Sequence, residues 1–375
     1  MKRLFSSAED VVLARSPEGA HPVWEALLAF ISVFYRGAVA LRAALYRRGV
    51  FKSTRLPCTV VSVGNLTLGG TGKTPVTMAA ARTLLQNGFS VAVLSRGYGG
   101  SLSKKGGMVS DGKSLLAGAS RAGDEPLLMA RSLPGVPVAV GRDRARMGKE
   151  VLRRFAPQVL LLDDGFQHLA LARDVDIVLA DASSPLANGR VFPRGPLREP
   201  EENLLRAHAL VLTRANPEDP ESPPSVWPED RPVFYAFHRP VGWTAAGGEN
   251  SRLTPGRHMG YQLKFMRGKR LAAFSGIADN RGFFSTLGSL GTPPVVALEF
   301  ADHHAYDPAD VERIVEKARE AGADCVATTE KDLARLDGWP REAPPLFALR
   351  IEAAFTEPEA FERFLVRSVK EAING

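Results

Sequence analysis

The chain has 375 residues, 45% of them hydrophobic, enough to supply cores for two or three domains, which excludes a disordered chain. Its 48 Lys and Arg against 41 Asp and Glu give a net charge of +7, which suits nucleic acid, an anionic membrane surface or a phosphorylated substrate without choosing among them. The two cysteines, Cys58 and Cys325, each lie in an apolar run, so buried thiols in a reducing cytosol are expected rather than a disulfide or a metal site.

The first apolar stretch follows about twenty mixed residues and ends at no small-residue cleavage site, unlike a secretory signal. From Pro22 to Tyr35 the only charge is Glu25, after which Arg36, Arg42, Arg47 and Arg48 follow. Those fourteen residues fall short of the ~20 needed to span a bilayer. At helical spacing Trp24, Leu27, Leu28, Ile31, Phe34, Leu41 and Leu45 share a face, with Glu25, Ser32 and Arg36 on another. Such a helix either lies in a membrane leaflet with its arginines at anionic head groups or packs on the protein's own core, since both need one apolar face.

Next comes "CTVVSVGNLTLGGTGKTP", a buried strand, a glycine-rich turn and the start of a helix, the context that a phosphate-binding loop requires. The usual G-x-x-x-x-G-K-[ST] pattern has Thr67 in place of its first glycine. The chemistry survives the shift: Gly69, Gly70, Thr71 and Gly72 turn backbone N–H groups onto phosphates, Lys73 reaches the β and γ oxygens, and Thr74 ligates Mg²⁺. No N/T-K-x-D sequence for guanine is found, because the lysine of "TTEKD" at Thr328–Asp332 comes one residue late, so ATP is the expected nucleotide.

Apolar runs then alternate with helical stretches through "SVAVLS", "VPVAVG", "QVLLLDD", "VDIVLAD" and "HALVLTR", which implies a mostly parallel sheet covered by helices on both faces. Within this series "AGDEPLLMA" offers Asp124 and Glu125 at a helix start, where a carboxylate is either a dipole partner or the group that takes a hydroxyl proton. "VLLLDDGFQH" ends a strand in Asp163 and Asp164, either of which can contact Mg²⁺ or its water. In "VFPRGPLREP", Arg198 suits phosphate and Glu199 suits Mg²⁺.

The proline- and acid-rich stretch 216–230 is expected to be a surface loop, and two extended segments after it a β-ribbon. The alternation resumes at Lys269 as a second, smaller α/β unit. Its "EFADHHAY" places His303 or His304 where an imidazole can pair with a carboxylate across a cleft; adjacent histidines point apart and do not make a two-His metal site.

Taken together in this order, "GNLTLGGTGKTP", "SRGYGG", "GDEP", "GRDR", "DDGFQH", "FPRGPLREP", "VLTRAN", "FSGIADNRGF" and "DHHAY" closely resemble the tetraacyldisaccharide 4'-kinase (lipid A 4'-kinase) family, over most of the chain. The resemblance implies a P-loop NTPase-type α/β fold: a membrane-associated helix in residues 1–50, a kinase core over 51–240, a β-ribbon linker over 241–268, and a smaller α/β domain over 269–375 facing the core. It also implies ATP- and Mg²⁺-dependent phosphorylation of the 4'-hydroxyl of a tetraacylated glucosamine disaccharide 1-phosphate. The expected setting is the cytoplasmic face of the bacterial inner membrane, with the enzyme peripheral, and with no nucleic acid and no obligate protein partner. Carried over by position, Asp124 is the base, His303 the partner that raises its basicity, Lys73 and Arg198 act on the phosphates, and Thr74, Asp163, Asp164 and Glu199 lie at the metal, Asp164 foremost.

A second reading is a membrane-targeting or partition-type ATPase switch, which shares the Gly-Gly-x-Gly-Lys-Thr variant. That group carries a lysine just before the double glycine, where this chain has Leu68. A third is a soluble small-molecule kinase whose first helix is core.

Overall fold

The computed structural model describes residues 22–219, 221–246 and 260–375. In chain order the main elements begin with α1 (Pro22–Arg47), β1 (Thr59–Asn65), α2 (Lys73–Gln86), β2 (Val91–Ser95), β3 (Gly107–Asp111), α3 (Asp124–Ser132), β4 (Pro137–Val140) and α4 (Arg144–Phe155). They continue with β5 (Val159–Asp163), β6 (Val175–Asp181), β7 (Ala209–Thr213), β8 (Val233–Ala245), β9 (Gly260–Tyr261), β10 (Leu271–Ser275), α5 (Asn280–Ser289) and β11 (Pro294–Glu299). Last come α6 (Pro308–Glu320), β12 (Cys325–Thr329), α7 (Glu330–Arg335), β13 (Leu346–Phe355) and α8 (Pro358–Asn374).

The described residues form two compact units, neither contiguous in sequence: the first holds those within 22–96, 143–237 and 353–375, the second those within 97–142, 238–246 and 260–352. This differs from the contiguous boundaries expected at 240 and 269. The stretch around Asp124 groups with the C-terminal strands because α3 packs on α7, and α8 groups with the first unit because it packs on α2 and β1. Part of the expected ribbon linker, residues 247–259, lies outside the described residues; flanking it, β8 and β9 pair antiparallel through Trp243 and Tyr261. Residues 263–266, expected to be extended, instead form a 3₁₀ turn that buries Met266. Of the two thiols Cys325 is buried as expected, while Cys58, just ahead of β1, is only half-buried.

In the first unit the strands lie in the order β8-β7-β6-β1-β5-β2, all parallel. β1, β5 and β7 are buried along their whole length, as unbroken Val/Leu-rich runs require when helices cover both faces. β1 sits between β5 and β6, with Val63 beside Asp163 and Asn65 beside Leu179. The chain crosses from one side of β1 to the other between β5 and β6, so the carboxyl ends of these strands open a crevice at a topological switch point. In the second unit β11-β10-β12-β13 form a parallel sheet with apolar clusters centred on Trp243 and on Phe274, and β3 and β4 pair antiparallel.

α1 belongs to the first unit and settles one open point of packing: most of its apolar stripe faces outward, with Leu28 and Leu45 half-buried. Trp24, Leu27, Phe30, Ile31, Val33, Phe34 and Leu41 are exposed, whereas Leu28, Ser32, Tyr35, Val39 and Leu45 are half-buried, Tyr35 against an apolar cluster of the first unit. Ser32 donates to the Val191 carbonyl at 2.8 Å, Tyr35 to the Arg198 carbonyl at 3.0 Å and Arg42 to the Gln167 carbonyl at 3.2 Å. A helix that uses hydroxyls inward and phenylalanines outward is not a core helix. It also runs past Arg36 without a break, and its Trp24–Arg47 portion of 24 residues is long and apolar enough to cross a membrane.

Candidate active site

The phosphate loop leaves the carboxyl end of β1 and enters α2 through Gly72, which takes a left-handed conformation (φ 75°) that costs a glycine little. No side chain caps this helix start and no acidic residue stands in its first turn, so the positive end of the helix dipole is left for an anion. A Cβ added at Gly69 or Gly70 would meet nothing within 4 Å, which means that packing inside the chain does not demand glycine there. The Thr71 hydroxyl is buried without a hydrogen-bond partner. An open glycine cradle with an uncapped helix and an orphaned hydroxyl fits a bound phosphate chain.

Two of the expected cations meet at one carboxylate beside the loop. Lys73 Nζ lies 3.8 Å from Asp164 Oδ1, and Arg198 Nη1 lies 2.9 Å from the same oxygen. Asp164 itself has a positive φ of 52°, an uncommon conformation for a non-glycine residue that turns its carboxylate out of the line of β5. Burial would raise its pKa, but Lys73, Arg198 and Arg144 outweigh burial and hold it below the usual carboxylate range. Asp163 is buried one residue earlier, accepting from the Thr77 hydroxyl at 3.3 Å and the Ser95 hydroxyl at 2.9 Å. Glu199 accepts from Asn203 and Arg206, both at 2.7 Å, and burial raises its pKa despite Arg206. In the same motif as Asp164, His168 is held neutral, its pKa pushed down to about 4 by burial and by Arg144, Arg173 and Arg42.

The donors near Thr74, Asp163 and Asp164 are all oxygen, the ligand type for Mg²⁺. Among the described residues there is no cluster of three or more His, Cys, Asp or Glu able to hold a metal alone. That fits a Mg²⁺ completed by phosphate oxygens and water.

In the second unit Asp124 opens α3. Gly123 precedes it with φ 89°, and a Cβ there would stand 2.4 Å from the Tyr98 carbonyl oxygen, so the "GDEP" turn needs its glycine. His303 Nδ1 lies 3.5 Å from Asp124 Oδ2, as the sequence led us to expect, although both belong to one unit. His303 also has a positive φ, 60°. His304 turns elsewhere, to Asp310 at 2.6 Å.

Sequence reasoning missed Arg335. From α7, 211 residues away in the chain, it donates Nε to Asp124 Oδ2 at 3.0 Å and Nη2 to the same oxygen. The fully buried Asp332 and the Gly276 carbonyl fix its other nitrogen at 3.1 and 2.8 Å. The same guanidinium reaches His303 Nδ1 at 3.2 Å. That ring nitrogen accepts from Arg335 when it carries no proton and donates to Asp124 when it does. Burial would raise the Asp124 pKa, but the His303 hydrogen bond and the Arg335 charge overcome it and hold the carboxylate far below its ordinary range, so His303 lowers the basicity of Asp124 where the resemblance implied that it raises it. His303 is raised in turn, first by its bond to Asp124.

A consequence follows for pH dependence. Acid stops a base by protonating it, and here Arg335 pushes that protonation to low pH. Arg335→Gln is therefore expected to move the acid limb of the kcat/KM profile to higher pH, whereas an unchanged limb would show that the guanidinium does not tune Asp124.

The family model described as tetraacyldisaccharide-1-P 4'-kinase (LpxK) matches residues 24–370. Tetraacyldisaccharide 4'-kinase of Desulfatibacillum aliphaticivorans is 44% identical over 95% of this chain and 96% of its own length. That of Geobacter metallireducens is 42% identical over 90% of this chain and 96% of its own length. The crystal structure of the "apo" form of LpxK from Aquifex aeolicus in complex with ATP matches with a TM-score of 0.74 at 32% identity, covering 92% of this chain and 99% of that one. With a glycine loop, paired carboxylates and a His–Asp–Arg cluster on a matching fold, the chain belongs to the tetraacyldisaccharide-1-phosphate 4'-kinase (LpxK) family, the lipid kinases of lipid A biosynthesis.

Proposed function

We propose that this kinase transfers the γ-phosphoryl group of ATP to the 4'-hydroxyl of a tetraacylated glucosamine disaccharide 1-phosphate, at the cytoplasmic face of the inner membrane. The observation that carries this reading is the pairing, in one chain, of an uncapped phosphate loop with a carboxylate held ready by His303 and Arg335. Asp124 accepts the hydroxyl proton, or orients it, as the sugar oxygen attacks phosphorus. Its low pKa keeps it ionised throughout the neutral range. His303 and Arg335 keep its oxygens in place and balance its charge. On the donor side the loop N–H groups and Lys73 hold the phosphates, and Arg198 stabilises charge on the phosphoryl oxygens. Thr74, Asp163, Asp164 and Glu199 would hold Mg²⁺, Asp164 foremost, and Glu199 is fastened by Arg206. The ion supplies charge neutralisation and in-line orientation of the triphosphate. A lipid analogue lacking the 4'-hydroxyl tests the acceptor: it should take no phosphate, and phosphorylation of it elsewhere would refute the assignment.

The outward apolar face of α1 supports docking on the bilayer, with the lipid substrate drawn from the leaflet. Replacing Phe30 and Phe34, both exposed, with serine is expected to lower partition into anionic vesicles about 10²- to 10⁴-fold while ATP binding is kept, since each phenylalanine contributes about 1.5–3 kcal/mol when buried in an apolar phase. Co-sedimentation measures this, and unchanged partition would favour a soluble kinase. The switch reading lacks such support, because a switch has no need of a carboxylate poised for a hydroxyl.

A further inference from the structure

The phosphate loop is soft by composition. Gly69 and Gly72 carry φ values of 104° and 75°, and nothing packs where a Cβ at Gly69 or Gly70 would go. Glycine loses more freedom on ordering than any other residue, so a loop of this kind keeps one shape only if groups outside it hold it. The question is which groups those are.

A trans peptide unit points its C=O and its N–H in opposite directions, so fixing one carbonyl outward aims the next residue's N–H inward. The first half of the loop is fixed by its neighbours. The Leu66 carbonyl accepts from the Arg198 N–H and the Leu68 N–H donates to the Pro196 carbonyl, both at 2.7 Å, while the Asn65 side chain holds the Thr67 carbonyl at 2.8 Å. The second half is fixed from the end of β7. Arg214 Nη2 donates to the Gly70 carbonyl at 2.7 Å, and the Thr213 hydroxyl lies 3.0 Å from the Thr71 carbonyl. By the peptide rule these two contacts aim the N–H groups of Thr71 and Gly72. Neither N–H donates a hydrogen bond among the described residues.

Arg214 and Thr213 are themselves built in. Thr213 is the last residue of β7 and is buried; its hydroxyl is also 3.2 Å from the Ala180 carbonyl at the end of β6. Arg214 pairs through Nη1 with Asp181 and takes a positive φ of 57°, an uncommon backbone for arginine that carries its side chain back over the loop. These residues belong to "VLTRAN", a segment without a role in the mechanism above.

We propose that Thr213 and Arg214 are positioning residues of the phosphate loop, which preorganise the Thr71 and Gly72 N–H groups for the triphosphate of ATP. The proposal rests on the reading of this loop as the ATP site. Neither side chain needs to touch the nucleotide. Each acts by keeping a peptide plane from turning over, which would present a carbonyl to the phosphates.

The test is ATP binding by the full-length protein in detergent, measured by calorimetry, together with KM values for ATP and for the lipid. One hydrogen bond of this kind contributes about 0.5–1.5 kcal/mol, so Thr213→Val and Arg214→Ala should each raise the ATP Kd about 3- to 10-fold, with a matching rise in KM for ATP and an unchanged KM for the lipid. Thr213→Ser keeps the hydroxyl and should restore wild-type values, which a merely steric role for the methyl group would not allow. Unfolding midpoints without nucleotide check that the variants are folded. Wild-type ATP affinity in folded Thr213→Val and Arg214→Ala, or an equal rise in both KM values, would overturn the proposal. A wild-type protein that binds no ATP would overturn the ATP reading of the loop and this proposal with it, and is told apart by occurring before any substitution.

Discussion

Replacing Asp124 with asparagine is expected to lower the rate of phosphoryl transfer about 10²- to 10⁴-fold at saturating substrates, the usual contribution of a general base. Asparagine keeps the shape of the side chain and an oxygen for Arg335, so the fold should stand. The carboxylate is nearly buried and receives three contacts that all favour its charged form: the Arg335 Nε at 3.0 Å, the Arg335 Nη2, and His303 at 3.5 Å. A group so arranged is ionised at neutral pH and points its charge at a fixed place, which is what a hydroxyl needs during attack. ATP affinity should change little, because the phosphate loop lies in the other unit. Single-turnover transfer with labelled ATP measures the effect, and a near wild-type rate would remove Asp124 from the mechanism. His303→Ala should give the same kind of loss on a smaller scale, since it removes one of three contacts.

Lys73→Ala carries the second large effect, a fall of about 10²- to 10³-fold in transfer, the range for deleting one fixed electrostatic stabiliser of a developing charge. Lys73 opens α2, where the helix N-terminus adds its own positive potential, and its ammonium stands 3.8 Å from Asp164. Removing it leaves Asp164 paired with Arg198, whose Nη1 stands 2.9 Å from its carboxylate. Both KM for ATP and kcat should therefore suffer, unlike the loss at Asp124, which falls on kcat. Equal kinetics in Lys73→Ala and wild type would mean that the triphosphate binds elsewhere.

The phosphate loop and the Asp163–Asp164 pair were legible because each is a short segment whose job depends on its own neighbours: a strand before, a glycine turn, a helix after. The His303–Asp124 pair came through the resemblance of whole motifs. Arg335 did not, for a physical reason. Its partner is 211 residues away, and in "TTEKDLAR" it looks like a solvated residue on the face of a short helix. A signal was present: Lys331 and Arg335 are four residues apart on α7, and Lys331 bonds Glu125, at 2.5 Å, while Arg335 takes Asp124. Two basic residues on one helix thus match two adjacent acids on another.

Unit boundaries were less legible than elements. Whether residues 97–142 fold with what precedes or with what lies 200 residues later depends on α3 meeting α7, and hydrophobic periodicity says only that α3 has an apolar side. The first helix shows the same limit. Its stripe could be counted from the sequence, but an apolar face is the same whether it meets a core or a lipid. What decides is where Ser32 and Tyr35 find carbonyls, on residues 191 and 198, and that is tertiary information.

The most direct measurement is incubation of the full-length protein with γ-labelled ATP, Mg²⁺ and the tetraacyl disaccharide 1-phosphate in detergent micelles, followed by separation of lipid from water-soluble products. The label should appear in the lipid, on the 4'-oxygen, and Lys73→Ala and Asp124→Asn should abolish nearly all of it. Release of labelled inorganic phosphate with none in the lipid would contradict a kinase and support an ATPase switch.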